Sequence, residues 1–244
     1  MEFVLYGDIR EYYADTYMVY MEHEAQNLVP LGNIIVGNEG RDKTGWRDPS
    51  GWLMAAVKNK GRVALTAIMT PPHNVALYAA GNAIEDKAVE LLAGGLVKTD
   101  FEITGALADS VLSEKFAARY AEAAGLAYSV NKRMRIYELT RVNPEINIVG
   151  TLRKAEPRDM SFLPYWSEGF SADCFGSVLS PGADAAPYRY HIDSGYLYIL
   201  DVGGTSVSMA KAHREMATVC GVGFVYTPPY FRGRGHATSC VAAV

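Results

Sequence analysis

Near the end of the chain, Arg232-Gly233-Arg234-Gly235-His236-Ala237 follows directly on Val225-Tyr226-Thr227-Pro228-Pro229. The order is a β-forming run, a stiff exit, two glycines and then a helix-like stretch that continues through Thr238, Val241 and Ala242. A strand, a glycine loop and a helix start together make an anion site. The first N–H groups of a helix lack internal partners, and the helix dipole favours negative charge there. Gly233 and Gly235 let the main chain approach a pyrophosphate closely. Pro228-Pro229 restricts the exit from the strand, and Arg232 and Arg234 add positive charge.

The other chemistry-bearing residues are dispersed. General-base chemistry needs a proton acceptor, and His213, Glu215 and Glu168 stand nearest the cleft this loop would form. His213 and Glu215 fall at a turn between two expected strands, where exposed polar residues occur anyway. Cys220, on the run leading into the loop, reads as a small buried core thiol. His23, His73 and His191 show no partner pattern, and Trp46, Trp52 and Trp166 read as core or interface residues. The three cysteines, Cys174, Cys220 and Cys240, are odd in number and lack metal-ligand spacing. They read as reduced thiols of a cytoplasmic protein, with no metal expected.

Arg232 through Gly235 to Ala237 reads Arg-x-x-Gly-x-Ala directly after a Val-Tyr-Thr-Pro-Pro strand end. This resembles the acyl-CoA-binding motif of the GNAT family of N-acetyltransferases, Gln/Arg-x-x-Gly-x-Gly/Ala. The resemblance implies acetyl-CoA as co-substrate, held by Val225, Tyr226, Thr227, Arg232, Gly233, Arg234, Gly235, His236, Ala237 and Thr238. It implies a groove lined by residues 223–227, in which the Val225 N–H polarises the thioester carbonyl as an oxyanion-type donor. His236 stands where the family often has a tyrosine or an aliphatic residue, and is not read as catalytic. No side chain is assigned as general base or general acid.

The activity implied is acyl transfer from acetyl-CoA to a small-molecule or protein amine. Two alternatives stay open: a non-catalytic acyl-CoA-binding module, and an aminoacyl transferase with paired GNAT-like domains. The acidic balance and the intact loop count against the second.

The elements that must position the loop are legible as patterns. Residues 9–31 carry apolar and aromatic residues at helical spacing and predict one or two helices. Residues 33–50 read as an irregular connection. Three strands are expected at 51–58, 62–69 and 74–78, the first two joined by the turn residues Asn59-Lys60-Gly61. A helix is expected at 83–93, a brief extended piece at 103–105, and a strong helix at 109–124, where Leu112, Phe116, Tyr120 and Ala123 share a face. The partial alternation over 128–139 predicts a long strand, with Lys132, Arg133 and Arg135 on a solvated face. Residues 142–145 read as a domain junction. A strand at 150–154, a helix over 160–170 and a loop over 171–187 follow, then strands at 195–202, 206–213 and 216–226.

The halves repeat. Gly51, Val63 and Val75 recur at the same spacing as Gly195, Val207 and Val219, so each half is expected to build the same antiparallel meander. Only the second half carries the glycine loop; the first has Ala-Leu-Tyr-Ala-Ala-Gly-Asn in its place. The expected fold is α+β, with mixed, mostly antiparallel sheets flanked by helices. Its expected domains are a degenerate GNAT-like domain over 1–143 and a GNAT domain over 144–244. The first half runs on from Tyr78 to Tyr137 through further elements, whereas the chain ends at Val244. The second domain is therefore expected to be only the N-terminal portion of its fold, and its activity impaired.

With 23 basic and 27 acidic residues the net charge is -4, so no electrostatic footprint for nucleic acid is expected. No stretch has the length and apolarity of a membrane span, and the first residues lack the basic start of a secretory leader.

Overall fold

The computed structural model describes residues 1–40, 48–176 and 186–244. The chain divides into two units, Met1–Tyr137 and Glu138–Val244, and is α+β throughout, with largely antiparallel sheets flanked by helices.

The first unit contains β1 (Glu2–Leu5), α1 (Ile9–Met21), α2 (Leu28–Glu39), β2 (Leu53–Asn59), β3 (Arg62–Met69), β4 (Val75–Ala79), α3 (Asp86–Leu96), β5 (Ala106–Leu107) and α4 (Ser110–Ala124). The sheet order is β1-β2-β3-β4-β5, antiparallel except for the parallel β4–β5 pair. Helix starts follow side-chain chemistry: Asp8 accepts from the Arg10 N–H at 2.7 Å, and Asp109 from the Val111 N–H at 2.9 Å. Strand alternation sorts the core. Leu53, Val57, Leu65, Val75 and Leu77 face α3 and α4, where Val89, Leu92, Leu112 and Phe116 bury against them. On the other face lie α1 and its fully buried Tyr12 and Tyr20. Their hydroxyls meet at 2.7 Å, and Tyr12 also donates to the Ala67 carbonyl at 3.1 Å.

The second unit contains β6 (Thr151–Lys154), α5 (Leu163–Phe175), α6 (Ala186–Asp193), β7 (Leu197–Val202), β8 (Thr205–His213), β9 (Gly221–Tyr226) and α7 (His236–Ala243). Its sheet, in the order β6-β7-β8-β9, is antiparallel at every pair. α5 covers one face through Leu163 and Trp166 against Leu197, Ile199 and Met209. α7 covers the other through Cys240 against Leu200, Val207 and Ala210. Arg153 of β6 ties the start of this unit together: it makes two hydrogen bonds to the Asp159 carboxylate, at 2.7 and 2.8 Å, and donates to Asp201 at 2.7 Å.

The two meanders share an irregularity: the ladder shifts register after Val57 in β2 and after Leu200 in β7. At the first hairpin it is Lys60 and Gly61, not Asn59, that take the left-handed conformation, with φ of 50° and 79°.

Several sequence expectations need correction. Residues 128–139 form no strand; they run outside the sheets with Tyr128, Val130, Met134, Ile136 and Leu139 exposed. Lys132, Arg133 and Arg135 are exposed but not on a strand face, and Arg133 reaches Glu114 only at 3.9 Å. Residues 33–39 are not irregular: α2 continues to Glu39 and ends at Gly40, whose φ of 59° suits its missing Cβ. The described part of the expected loop at 171–187 is mostly helical, because α5 runs to Phe175 and α6 begins at Ala186; residues 177–185 lie outside the described residues. The last strand starts at Gly221, since Met216 and Val219 close a turn, the Met216 N–H donating at 2.8 Å. Trp52 and Trp166 are core residues, each 5% exposed; Trp46 lies outside the described residues.

Candidate functional site

The site begins with a defect in β9. Met209 pairs with Tyr226 and Lys211 with Gly223, so β9 spends one more residue than β8 between these pairs. The extra residue is a bulge. Phe224 sits in it at φ 53°, a left-handed conformation that is uncommon for a bulky residue and concentrates at functional positions. Its ring is held by Phe170 of α5 at 5.0 Å between centroids and by His191 of α6 at 5.2 Å. Beyond the bulge, Val225 packs toward α7 and Tyr226 toward α5. Gly169 leaves room for the Tyr226 ring there: a Cβ at 169 would meet the Tyr226 hydroxyl and displace it.

The strand end is fixed from within the sheet. Ser208 of β8 donates to the Tyr226 carbonyl at 3.1 Å and meets the Thr227 hydroxyl at 2.9 Å. A short 3-10 turn at Pro229–Phe231 follows, then Gly233 and Gly235 at φ 74° and 75°. Gly235 is the N-cap of α7, and no side chain caps this helix. The first N–H groups of α7 therefore open outward from an exposed loop.

The two arginines of the loop differ. Arg232 donates from Nε to the Thr227 carbonyl at 2.8 Å, pairs through Nη2 with the Asp173 carboxylate, and lies 5.5 Å from the Tyr226 ring centre. Its charge is balanced, and its role in the loop is to hold it closed. Arg234 is exposed and has no ion pair among the described residues. Ala237 and Thr238 are exposed in the first turn of α7, while His236 is buried with its Nδ1 unpartnered. A cleft of about 280 Å³ lies between the strand end and α5, lined by Phe170, Cys174, Val225, Tyr226, Thr227 and Ala237. Burial raises the Tyr226 pKa above the usual phenol value, against the opposing Arg232 charge.

The proton-acceptor candidates are unequal. Glu168 of α5 keeps one carboxylate oxygen buried without a partner, one residue from the glycine that admits Tyr226. His213 lies against Gly223, with Nδ1 3.2 Å from Arg214; burial, then Arg214 and Lys211, lower its pKa. Glu215 is exposed and accepts from the Tyr196 hydroxyl at 3.3 Å. Cys220 is exposed, so it is not the core thiol expected; that role falls to Cys240, whose pKa burial pushes up to about 11.

Sequence reasoning missed His191. Its Nδ1 lies 2.8 Å from the Lys211 ammonium, and burial, then that charge, lower its pKa to about 4. It is a neutral imidazole packed on the bulge. No sequence signal joins His191 to Lys211, because α6 begins at Ala186, inside the stretch 171–187 expected to be loop. Among the described residues no group of three His, Cys, Asp or Glu side chains could hold a metal ion, and no helix is long and apolar enough to cross a membrane.

No family model matches the chain, and no curated protein matches it.

Proposed function

We infer that the second unit binds the pyrophosphate of an acyl-coenzyme A and is built to transfer its acyl group, an acetyl group, to an amine. The observation that carries this reading is the bulged β9 delivered into two left-handed glycines and an uncapped helix start. Those features make an anion site at one end and a displaced strand N–H at the other, in the order that a phosphorylated carrier with a thioester tail requires. In the reaction the amine nitrogen attacks the thioester carbon, the C–N bond forms, and the C–S bond breaks to release coenzyme A thiol. In this reading the Val225 N–H supports the developing oxyanion, and the proton lost by the amine nitrogen passes by way of one of the acceptor candidates, Glu168, His213 or Glu215, to the departing thiolate.

A non-catalytic acyl-CoA binder is the second reading. It is favoured by the position of β9 at the edge of its sheet, with no strand among the described residues forming an opposite wall. One experiment separates the two. The protein is incubated with acetyl-CoA and a panel of amines while binding and free thiol are followed together. Binding with amine-dependent thiol release supports transfer, binding without release supports the second reading, and absence of binding overturns both.

A further inference from the structure

A cluster of charge and rings stands beside the bulge, on the sheet face that α5 and α6 cover. Lys211 pairs with Gly223, on the side of the bulge away from the glycine loop. Met209, Lys211 and His213 alternate along β8 and so share this face, where Met209 packs with Leu163 and Trp166. The Lys211 ammonium donates to His191 Nδ1 at 2.8 Å and lies 5.3 Å from the Tyr190 ring centre. Gly223 has no side chain, and His213 Nε2 lies 3.0 Å from where its Cβ would stand. After burial, the Lys211 charge lowers the pKa of His191; burial and Arg214 come before it at His213. One ammonium therefore stands beside two imidazoles whose charging it opposes.

Rings continue the cluster. Phe224 lies 5.2 Å from His191 and 5.0 Å from Phe170, and Phe170 lies 6.0 Å from Phe175. The outer rings are open to solvent, Phe175 at 64% and Tyr190 at 54% exposure. Phe170 also lines the cleft at the strand end, so the row of rings is continuous with that cleft. Tyr226 adjoins the glycine loop, and Gly223 lies three residues, about 10 Å, back along β9. A carrier with its pyrophosphate at the loop and its thioester at Val225 leaves this end of β9 to the acceptor.

The charge there selects the acceptor. A simple ammonium would meet Lys211 and be repelled; a carboxylate on the same molecule reverses the sign. Rings beside the cation suit a large apolar group. We propose that Lys211 holds the carboxylate of the acceptor, an α-amino acid whose large apolar side chain lies along Phe175, Phe170 and Phe224. His191 orients the Lys211 ammonium, and the acceptor amine, one carbon from the carboxylate, is held on the Val225 side. The proposal rests on the acyl-coenzyme A reading for this order along β9.

Calorimetric titration of the full chain with L-phenylalanine tests it. The comparators are phenethylamine, which lacks the carboxylate, and glycine, which lacks the ring. Saturable binding of L-phenylalanine is expected, about tenfold tighter than that of either comparator. Lys211→Met removes the charge at similar length; it should weaken L-phenylalanine about tenfold and phenethylamine not at all, whereas a merely structural role would weaken both alike. Phe175→Ala, at an exposed helix end, should weaken L-phenylalanine about threefold. Thermal melts verify that each variant is folded; should Lys211→Met unfold, Phe175→Ala and the phenethylamine comparison decide. A separate titration with coenzyme A keeps the two readings apart: coenzyme A binding without L-phenylalanine binding sinks this proposal alone, and the converse sinks the carrier reading. No saturable binding of L-phenylalanine at millimolar concentration, equal affinity for phenethylamine, equal losses for both ligands in Lys211→Met, or unchanged affinity in Phe175→Ala each overturns the proposal.

Discussion

The Nε of Arg232 donates to the carbonyl oxygen of Thr227 at 2.8 Å, closing the loop between β9 and α7 on itself. With Asp173 on the same guanidinium, Arg232 is a strut, and the free positive charge of the loop is Arg234. The two residues should therefore fail differently. Arg232→Lys keeps the charge but loses the Nε donor, and should weaken coenzyme A binding about tenfold with little change in its salt dependence. Arg234→Ala should weaken binding about threefold at low salt and much less at high salt. Titrations at two ionic strengths separate the cases. Equal salt sensitivity of both variants would show that Arg232 also acts on the ligand as a charge.

Gly235 takes φ 75° at the N-cap of α7. Alanine there meets a backbone conformation costing about 1–2 kcal/mol, although no neighbouring atom obstructs its Cβ. Gly235→Ala should lower the stability of the second unit by that amount in urea unfolding. Gly235→Asp should reduce coenzyme A affinity further, because its carboxylate caps the N–H groups that the phosphate needs. A Gly235→Asp variant that binds as tightly as Gly235→Ala would relocate the phosphate away from α7.

The conformation of the loop was readable because its residues are contiguous and its determinants local: glycines at positive φ, then a helix start. The meanders were readable from alternation and from the matched landmarks Val63 in β3 and Val207 in β8; the second pair failed, since Val75 opens β4 whereas Val219 lies in the turn before β9. Contacts between distant residues were not. His191 meets Lys211 only because α6 returns beside β8, and Glu22 meets Gly81 only because α1 ends beside the turn after β4. The alternation of residues 128–139 shows the other limit. Leu126, Tyr128, Val130, Met134 and Ile136 share a period of two and all are exposed. Periodicity states which face a strand would bury; a sheet edge must still be present to receive it.

His191 makes the second unit sensitive to mild acid. Burial, then the Lys211 charge, lower its pKa to about 4, below the ordinary histidine value of about 6.5. The unfolded chain thus binds the proton more readily over that window, and stability rises with pH from about 4 to about 6.5. Stability is full above the upper limit and is lost progressively toward the lower one. His191→Gln should flatten this part of the profile in thermal melts. Lys211→Met should shift its lower end upward by removing the neighbouring charge. A slope unchanged in His191→Gln would assign it to another group.

Asp159 governs a lower range. It is 2% exposed, and burial alone would raise its pKa. The two Arg153 hydrogen bonds, the Glu156 N–H and the charges of Arg153 and Arg158 outweigh that and hold it below the usual carboxylate value. A depressed carboxylate contributes stability that is complete above its unfolded pKa, about 3.9, and lost as pH falls through the folded value. Asp159→Asn leaves Arg153 with Asp201 as its one carboxylate partner among the described residues and should destabilise the second unit by about 3 kcal/mol at neutral pH. Since the variant has nothing left to protonate at that position, its deficit should shrink below about pH 4. Urea unfolding at pH 7 and pH 3 measures both terms. A deficit of the same size at the two pH values would mean that the loss comes from the geometry of the turn at Glu156 and not from the carboxylate charge.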